Sequence, residues 1–137
     1  MPTALLAVDD DESHVERQIE TLVGLPFSSD ELTVTILHVF SENPSGASVN
    51  QLKTARLAAD RLGEAGFETA FGERSGDPAA EILEYATEND VALICVAGRK
   101  RSPTGKALFG SVTQDVILSA ERPVLVAGEV GDDRSAA

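Results

Sequence analysis

The stretch that decides the fold runs from Val91 to Val112, VALICVAGRKRSPTGKALFGSV. Val91 to Ala97 is an unbroken run of small apolar residues between Asp90 and Gly98. Such a run reads as a strand buried on both faces. A loop follows with Arg99, Lys100, Arg101, Ser102, Pro103, Thr104, Gly105 and Lys106, and from Ser111 the apolar spacing turns helical. A strand, a basic glycine-bearing loop and a helix N-terminus, in that order, form an arrangement that cradles phosphate. Backbone N–H groups and the positive end of the helix dipole converge on the anion there.

The charge map agrees. The chain holds 23 acidic and 11 basic residues, for a net charge of −12, yet four of the basic residues fall between Arg99 and Lys106. On a protein that repels anions overall, a local basic loop is informative. The plainer alternative is a solvated loop whose charges serve solubility. Two commoner phosphate motifs are excluded. Six residues separate Gly98 from Gly105-Lys106, and Ala107 stands where a Walker A loop needs a metal-binding hydroxyl. No G-x-G-x-x-G follows any strand, so the Rossmann fingerprint fails as well.

Outward from this stretch, the apolar periodicity predicts strands at Thr3–Val8, Thr33–Phe40, Phe67–Phe71 and Val124–Ala127. Helices are predicted between them. One starts at Ser13, whose S-x-x-E pattern with Glu16 is a capping box, and buries Val15, Ile19, Leu22 and Val23. A second covers Val49–Ala65, buries Leu52, Ala55, Ala59 and Leu62, and ends at the C-cap glycine Gly66. A third is capped by Asp77, with Pro78 at its first position, and buries Ile82, Leu83 and Ala86. A fourth is capped by Ser111, buries Val112, Val116 and Ile117, and stops before Pro123. The order β-α-β-α-β-α-β-α-β demands an α/β fold: one domain, with a five-stranded parallel sheet, right-handed crossovers and helices on both faces. The domain is placed at residues 1–128, with 129–137 a polar, frayed tail.

With 42% hydrophobic content and no Trp, the core must be built from Ala, Val, Leu and Ile. The lone Cys95 reads as a small buried hydrophobe and cannot form an intramolecular disulfide. No Cys/His cluster suggests a metal site, and no nucleophile–base pair or catalytic carboxylate pair stands out. No apolar run is long enough to cross a bilayer, Met1-Pro2-Thr3 opens no signal peptide, and a cytoplasmic location is expected. The acidity argues against nucleic-acid and anionic-membrane binding. His38, near the end of the second strand, reads first as a structural histidine. Asp9 ends the first strand, where open parallel sheets bind ligands.

These residues carry a likeness. The opening LLAVD, the His38-Val39 pair, Gly98 and Gly110-Ser111-Val112, and the closing RPVLVA resemble the universal stress protein family over Thr3–Ala127. The resemblance implies a Rossmann-like, adenine nucleotide α-hydrolase-like fold and a homodimer paired through the Val124–Ala127 edge. It also implies a regulatory stress-response role with an unidentified protein partner. One branch of the family binds ATP, and another carries no nucleotide. By the resemblance, Ala7 and Val39 border adenine, with Ala97 beside them. Asp9 meets ribose, and Gly98, Gly110, Ser111 and Val112 contact phosphate, with magnesium as a possible companion of ATP. Arg99, Lys100, Arg101 or Lys106 would clamp phosphate by charge, with Arg99 and Arg101 as the site residues. Arg101 stands where the nucleotide-binding signature has its second glycine, and the loop to Gly110 is one residue shorter than that signature. The competing readings are a ligand-free dimeric interaction module and, third, a slow ATPase.

The acidic composition suits a halophilic surface, on which salt screens self-repulsion. Melting curves across a KCl series are expected to rise with salt; a melting temperature indifferent to KCl contradicts this reading.

Overall fold

The computed structural model describes residues 1–26, 28–41, 48–98 and 110–128. Most of the basic loop, including Arg99, Lys100, Arg101 and Lys106, lies outside the described residues, as do residues 42–47 and the tail 129–137. Five strands, β1 (Thr3–Ala7), β2 (Thr33–Phe40), β3 (Glu68–Ser75), β4 (Leu93–Ala97) and β5 (Val124–Ala127), form one parallel sheet in the order β3-β2-β1-β4-β5. Four helices, α1 (Glu12–Val23), α2 (Lys53–Glu64), α3 (Pro78–Glu88) and α4 (Ser111–Ser119), alternate with them. The chain builds outward from β1 to β2 and β3, then returns across β1 to add β4 and β5. That reversal places a topological switch point between β1 and β4.

Side chains alternate across a strand, and β1 shows the consequence directly. Ala4, Leu6 and Val8 enter a core shared with Val15, Ile19 and Leu22 of α1 and Ala55, Ala58 and Leu62 of α2. Leu5, on the opposite face, enters a second core with Ala79, Ile82 and Ala86 of α3 and Val116 of α4. Helices therefore cover both faces. Ala4, Leu5 and Leu6 are fully buried, which explains why β1 and β4 read as continuous apolar runs rather than alternating ones.

Several element boundaries differ from the sequence expectation, each for a local reason. Helix α1 is capped two residues earlier than Ser13: the Asp11 carboxylate accepts from the Ser13 and His14 amides, so the helix starts at Glu12. Val49–Gln51 is a separate 3₁₀ turn, because Leu52 is extended (ψ 124°) before α2 begins. The buried residues of α2 include Thr54 and Ala58, while Ala59 is only partly buried. Strand β3 continues through the polar Gly72–Ser75, pairing residue for residue with all eight positions of β2. An edge strand with solvated faces needs no apolar run to persist. Strand β4 begins at Leu93 rather than Val91, because Asp90 turns with φ +45° and Val91 donates to the Ala86 carbonyl. In α4, Gly110 is the N-cap and Ser111 the first helical residue; Thr113 and Val116 are buried while Ile117 is 37% exposed. The Asp77 cap and Pro78 start of α3 match expectation, and Gly66 turns with φ +95° just past α2.

The Asp11 carboxyl is held below the usual carboxylate value of 3.8, first by the Ser13 hydroxyl and then by the His14 amide. A folded pKa below the unfolded one contributes stability that is complete above the ordinary value and lost as pH falls through the folded one. Asp11→Asn keeps a capping oxygen without the charge. Its stability relative to the parent is expected to improve as pH drops below about 3.8, measured by urea unfolding against pH. A difference that stays constant down the acid limb contradicts this role.

Candidate functional site

The site begins where the sheet opens. The register between β1 and β4 ends at the Leu6–Cys95 pair. Beyond it, the carbonyls of Ala7 and Cys95 both accept from Nε2 of Gln18, at 2.8 and 3.2 Å. Gln18 is fully buried on α1, so its carboxamide replaces the ladder bonds that the parting strands give up. A crevice opens at this point.

A cavity of about 310 Å³ occupies the crevice. Its floor is the carboxyl ends of three strands: Ala7, Val8 and Asp9 after β1, Leu37–Val39 of β2, and Val96, Ala97 and Gly98 of β4. Pro78 and Ile82 of α3, His14 of α1, and Gly110–Thr113 at the start of α4 complete the wall. All eight described residues that the family resemblance nominates line this one cavity: Ala7, Asp9, Val39, Ala97, Gly98, Gly110, Ser111 and Val112. Arg99 and Arg101 lie outside the described residues.

Each wall has its own chemistry. On the α4 side the N-cap is Gly110, and among the described residues no side chain caps the first turn, unlike α1 and α3, whose aspartate caps take the first amides. The first turn of α4 thus brings its N–H groups and the positive dipole end to the cavity. Thr113 ties that turn to β4 by donating its hydroxyl to the Ala97 carbonyl at 2.7 Å. Gly98 is required by packing: a Cβ there would meet Val126 Cγ1 at 2.9 Å and the Ala127 carbonyl at 3.3 Å.

On the β1 side, Asp9 is held at three points. Its carbonyl accepts from the Thr54 hydroxyl of α2 at 2.5 Å, its Oδ1 accepts from the Asp11 amide at 3.0 Å, and its Oδ2 lies 2.7 Å from His14 Nδ1. An ionised carboxylate only accepts, so the imidazole donates. His38, by contrast, donates from Nδ1 to the Val8 carbonyl at 2.8 Å and packs edge-on against Phe40. Burial pushes the Cys95 thiol up to about 12, as suits an inert core residue. Among the described residues, no group of three or more His, Cys, Asp or Glu side chains is placed to hold a metal ion.

His14, Gln18, Thr54 and Thr113 were not singled out by sequence reasoning. His14 had one available signal, an Asp-x₄-His spacing across a strand-to-helix turn. Gln18 and Thr54 carried none, because nothing local marks a polar residue that faces a strand end through a helix.

A second cavity of about 410 Å³ lies by α3 and the end of α4, lined by Leu83, Glu84, Glu88, Glu121 and Arg122 among others. It is larger but poorer in chemistry for an anion. Three carboxylates face it, and Arg122 already donates to the Ala86 and Val91 carbonyls.

The sequence model of the universal stress protein family matches residues 2–128. The chain belongs to the universal stress protein family. It is 32% identical over 89 residues to universal stress protein YxiE of Bacillus subtilis (strain 168), across 65% of this chain and 60% of that protein. The fold is likewise that of solved family members. A universal stress protein from Archaeoglobus fulgidus superimposes with a TM-score of 0.75 at 27% identity, over 92% of this chain and 98% of that one. An Archaeoglobus fulgidus universal stress protein in complex with dAMP gives 0.70 at 22% identity, covering 92% and 97% of the two chains. A family protein from Arabidopsis thaliana with AMP bound gives 0.67 at 19%, covering 97% and 95%. No described helix is long and apolar enough to cross a membrane.

Proposed function

We propose that this universal stress protein binds an adenine nucleotide in the crevice between β1 and β4, and acts as a cytoplasmic, regulatory homodimer. The observation that carries the reading is the cavity itself. It sits at the carboxyl ends of the strands at the switch point, with a helix N-terminus whose N-cap is a glycine on one wall and a fixed carboxylate on the other. Its volume lies at the lower end of the range for small-molecule sites. Family members of known structure with dAMP or AMP bound share the fold, which supports the ligand class. In this reading Ala7 and Val39 border the base, Ala97 lies beside it and Asp9 accepts from ribose. Gly98, Gly110, Ser111 and Val112 receive phosphate, with Arg99 and Arg101 adding charge. ATP is the proposed nucleotide. The Ser111 hydroxyl on the phosphate wall is an oxygen donor of the kind magnesium takes, and a magnesium-bound triphosphate would fill the remaining positions with phosphate oxygens and water.

The dimer is proposed through β5. It is an edge strand, its Val124, Leu125 and Val126 are only half-buried, and Leu118 of the adjoining helix is 74% exposed. A nucleotide-dependent change passed to a protein partner is the proposed output, as the family resemblance implies.

Calorimetry with ATP, AMP and adenosine tests the site. Dissociation constants from about micromolar to tens of micromolar for ATP, about −8 to −6 kcal/mol, are expected, with adenosine weaker. Gly110 has φ −68° and ψ 163°, which valine also adopts, so Gly110→Val is expected to fold. Its β-branched side chain at the cavity wall is expected to weaken ATP by roughly tenfold or more. No binding up to millimolar ATP overturns the proposal and leaves the ligand-free interaction module, which Arg101 in place of the signature's second glycine would then explain.

A further inference from the structure

His14 stands between two carboxylates. Its Nδ1 is 2.7 Å from Asp9 Oδ2, and its Nε2 is 3.6 Å from Asp11 Oδ2. It also lines the cavity. The side chain is 28% exposed and that of Asp9 is 48% exposed, so Asp9 is open enough to rotate away unless something holds it. The Thr54 contact fixes only the Asp9 backbone, and the Asp11 amide engages only Oδ1. Rotation of the carboxylate about its terminal torsion is soft. A donor on each oxygen is what makes one orientation of the plane win. A carboxylate offers about four lone-pair sites, so two remain for a ligand after the Asp11 amide and His14 have each taken one.

We propose that His14 is a positioning residue: through the Nδ1–Oδ2 hydrogen bond it holds the Asp9 carboxylate in the orientation that accepts from the hydroxyls of a ribose, and so makes the site selective for nucleotides that carry them. This inference rests on the adenine-nucleotide reading of the cavity. It concerns selectivity rather than general affinity, because the base and phosphate walls are built from other elements. Truncation of His14 leaves the helix start intact, since the cap runs from the Asp11 carboxylate to the backbone amides of Ser13 and His14.

The test compares AMP with its 2′,3′-dideoxy analogue by calorimetry on the full chain. His14→Ala is expected to weaken AMP by on the order of tenfold, the scale of a hydrogen bond to a charged group, and the dideoxy analogue by less than about twofold. His14→Asn places an amide donor where Nδ1 stood and is expected to restore most of the AMP affinity. His14→Ala combined with Asp9→Ala is expected to cost no more than Asp9→Ala alone, since one acts through the other. Equal losses for the two ligands, no recovery in His14→Asn, or additive losses in the double variant overturn the positioning role while the nucleotide site stands. Failure of the parent chain to bind either ligand overturns the nucleotide reading, and this inference with it.

Discussion

Beyond the Leu6–Cys95 pair, β1 and β4 stop bonding to each other, and the buried carboxamide of Gln18 takes the two carbonyls left behind. The rest of the site depends on that substitution. Unpaired backbone carbonyls in a dry core cost about 1–3 kcal/mol each, so without an internal donor the strands would have to stay paired or admit water. With it, the strands separate in a controlled way. Asp9 leaves on one side of the gap and Gly98 on the other, and the start of α4 closes over the opening.

The same constraint explains how rigid parts surround a polar site. The apolar run from Ala4 to Leu6 is fully buried between two helical layers, which anchors the base of the crevice. Thr54 from α2 and Thr113 from α4 each donate a hydroxyl to the backbone at the end of a strand. Three helices thus reach in with one buried polar side chain apiece, and each engages carbonyls at the mouth of the sheet. A site on a rigid frame of this kind positions its few polar groups more closely than one built on loops.

The fold was legible because both of its signals are local. The continuous runs LLA and LICVA announce strands buried on both faces, and the helix stripes between them leave only a parallel sheet. What escaped was governed by neighbours distant in sequence. Strand β3 extends over Gly72–Ser75 because β2 offers it eight partners, which no property of Glu73 or Arg74 discloses. Ser13 and Glu16 fit a capping-box pattern, yet Asp11 two residues earlier accepts from the Ser13 and His14 amides and so starts the helix ahead of Ser13. At the site, Asp9 followed from its place at a strand end and the phosphate loop from its glycines and charge, while the other lining positions came from the family resemblance; the described ones gather on one cavity. The side chains that hold those positions, Gln18, Thr54 and Thr113, act across the sheet and left no pattern to read. His14 is intermediate: its partner is five residues away, but the pairing exists only once the turn between them is folded.

The central claim proposed for this member of the universal stress protein family is that an adenine nucleotide binds at the β1–β4 switch point. Amide chemical-shift mapping of the ¹⁵N-labelled chain during addition of AMP tests that claim most directly. The account predicts the largest shifts at Asp9, Val39, Gly98 and Gly110–Val112, on the walls of one cavity. Shifts confined to the other end of the molecule, around Glu84, Glu121 and Arg122, or none at saturating AMP, would contradict it.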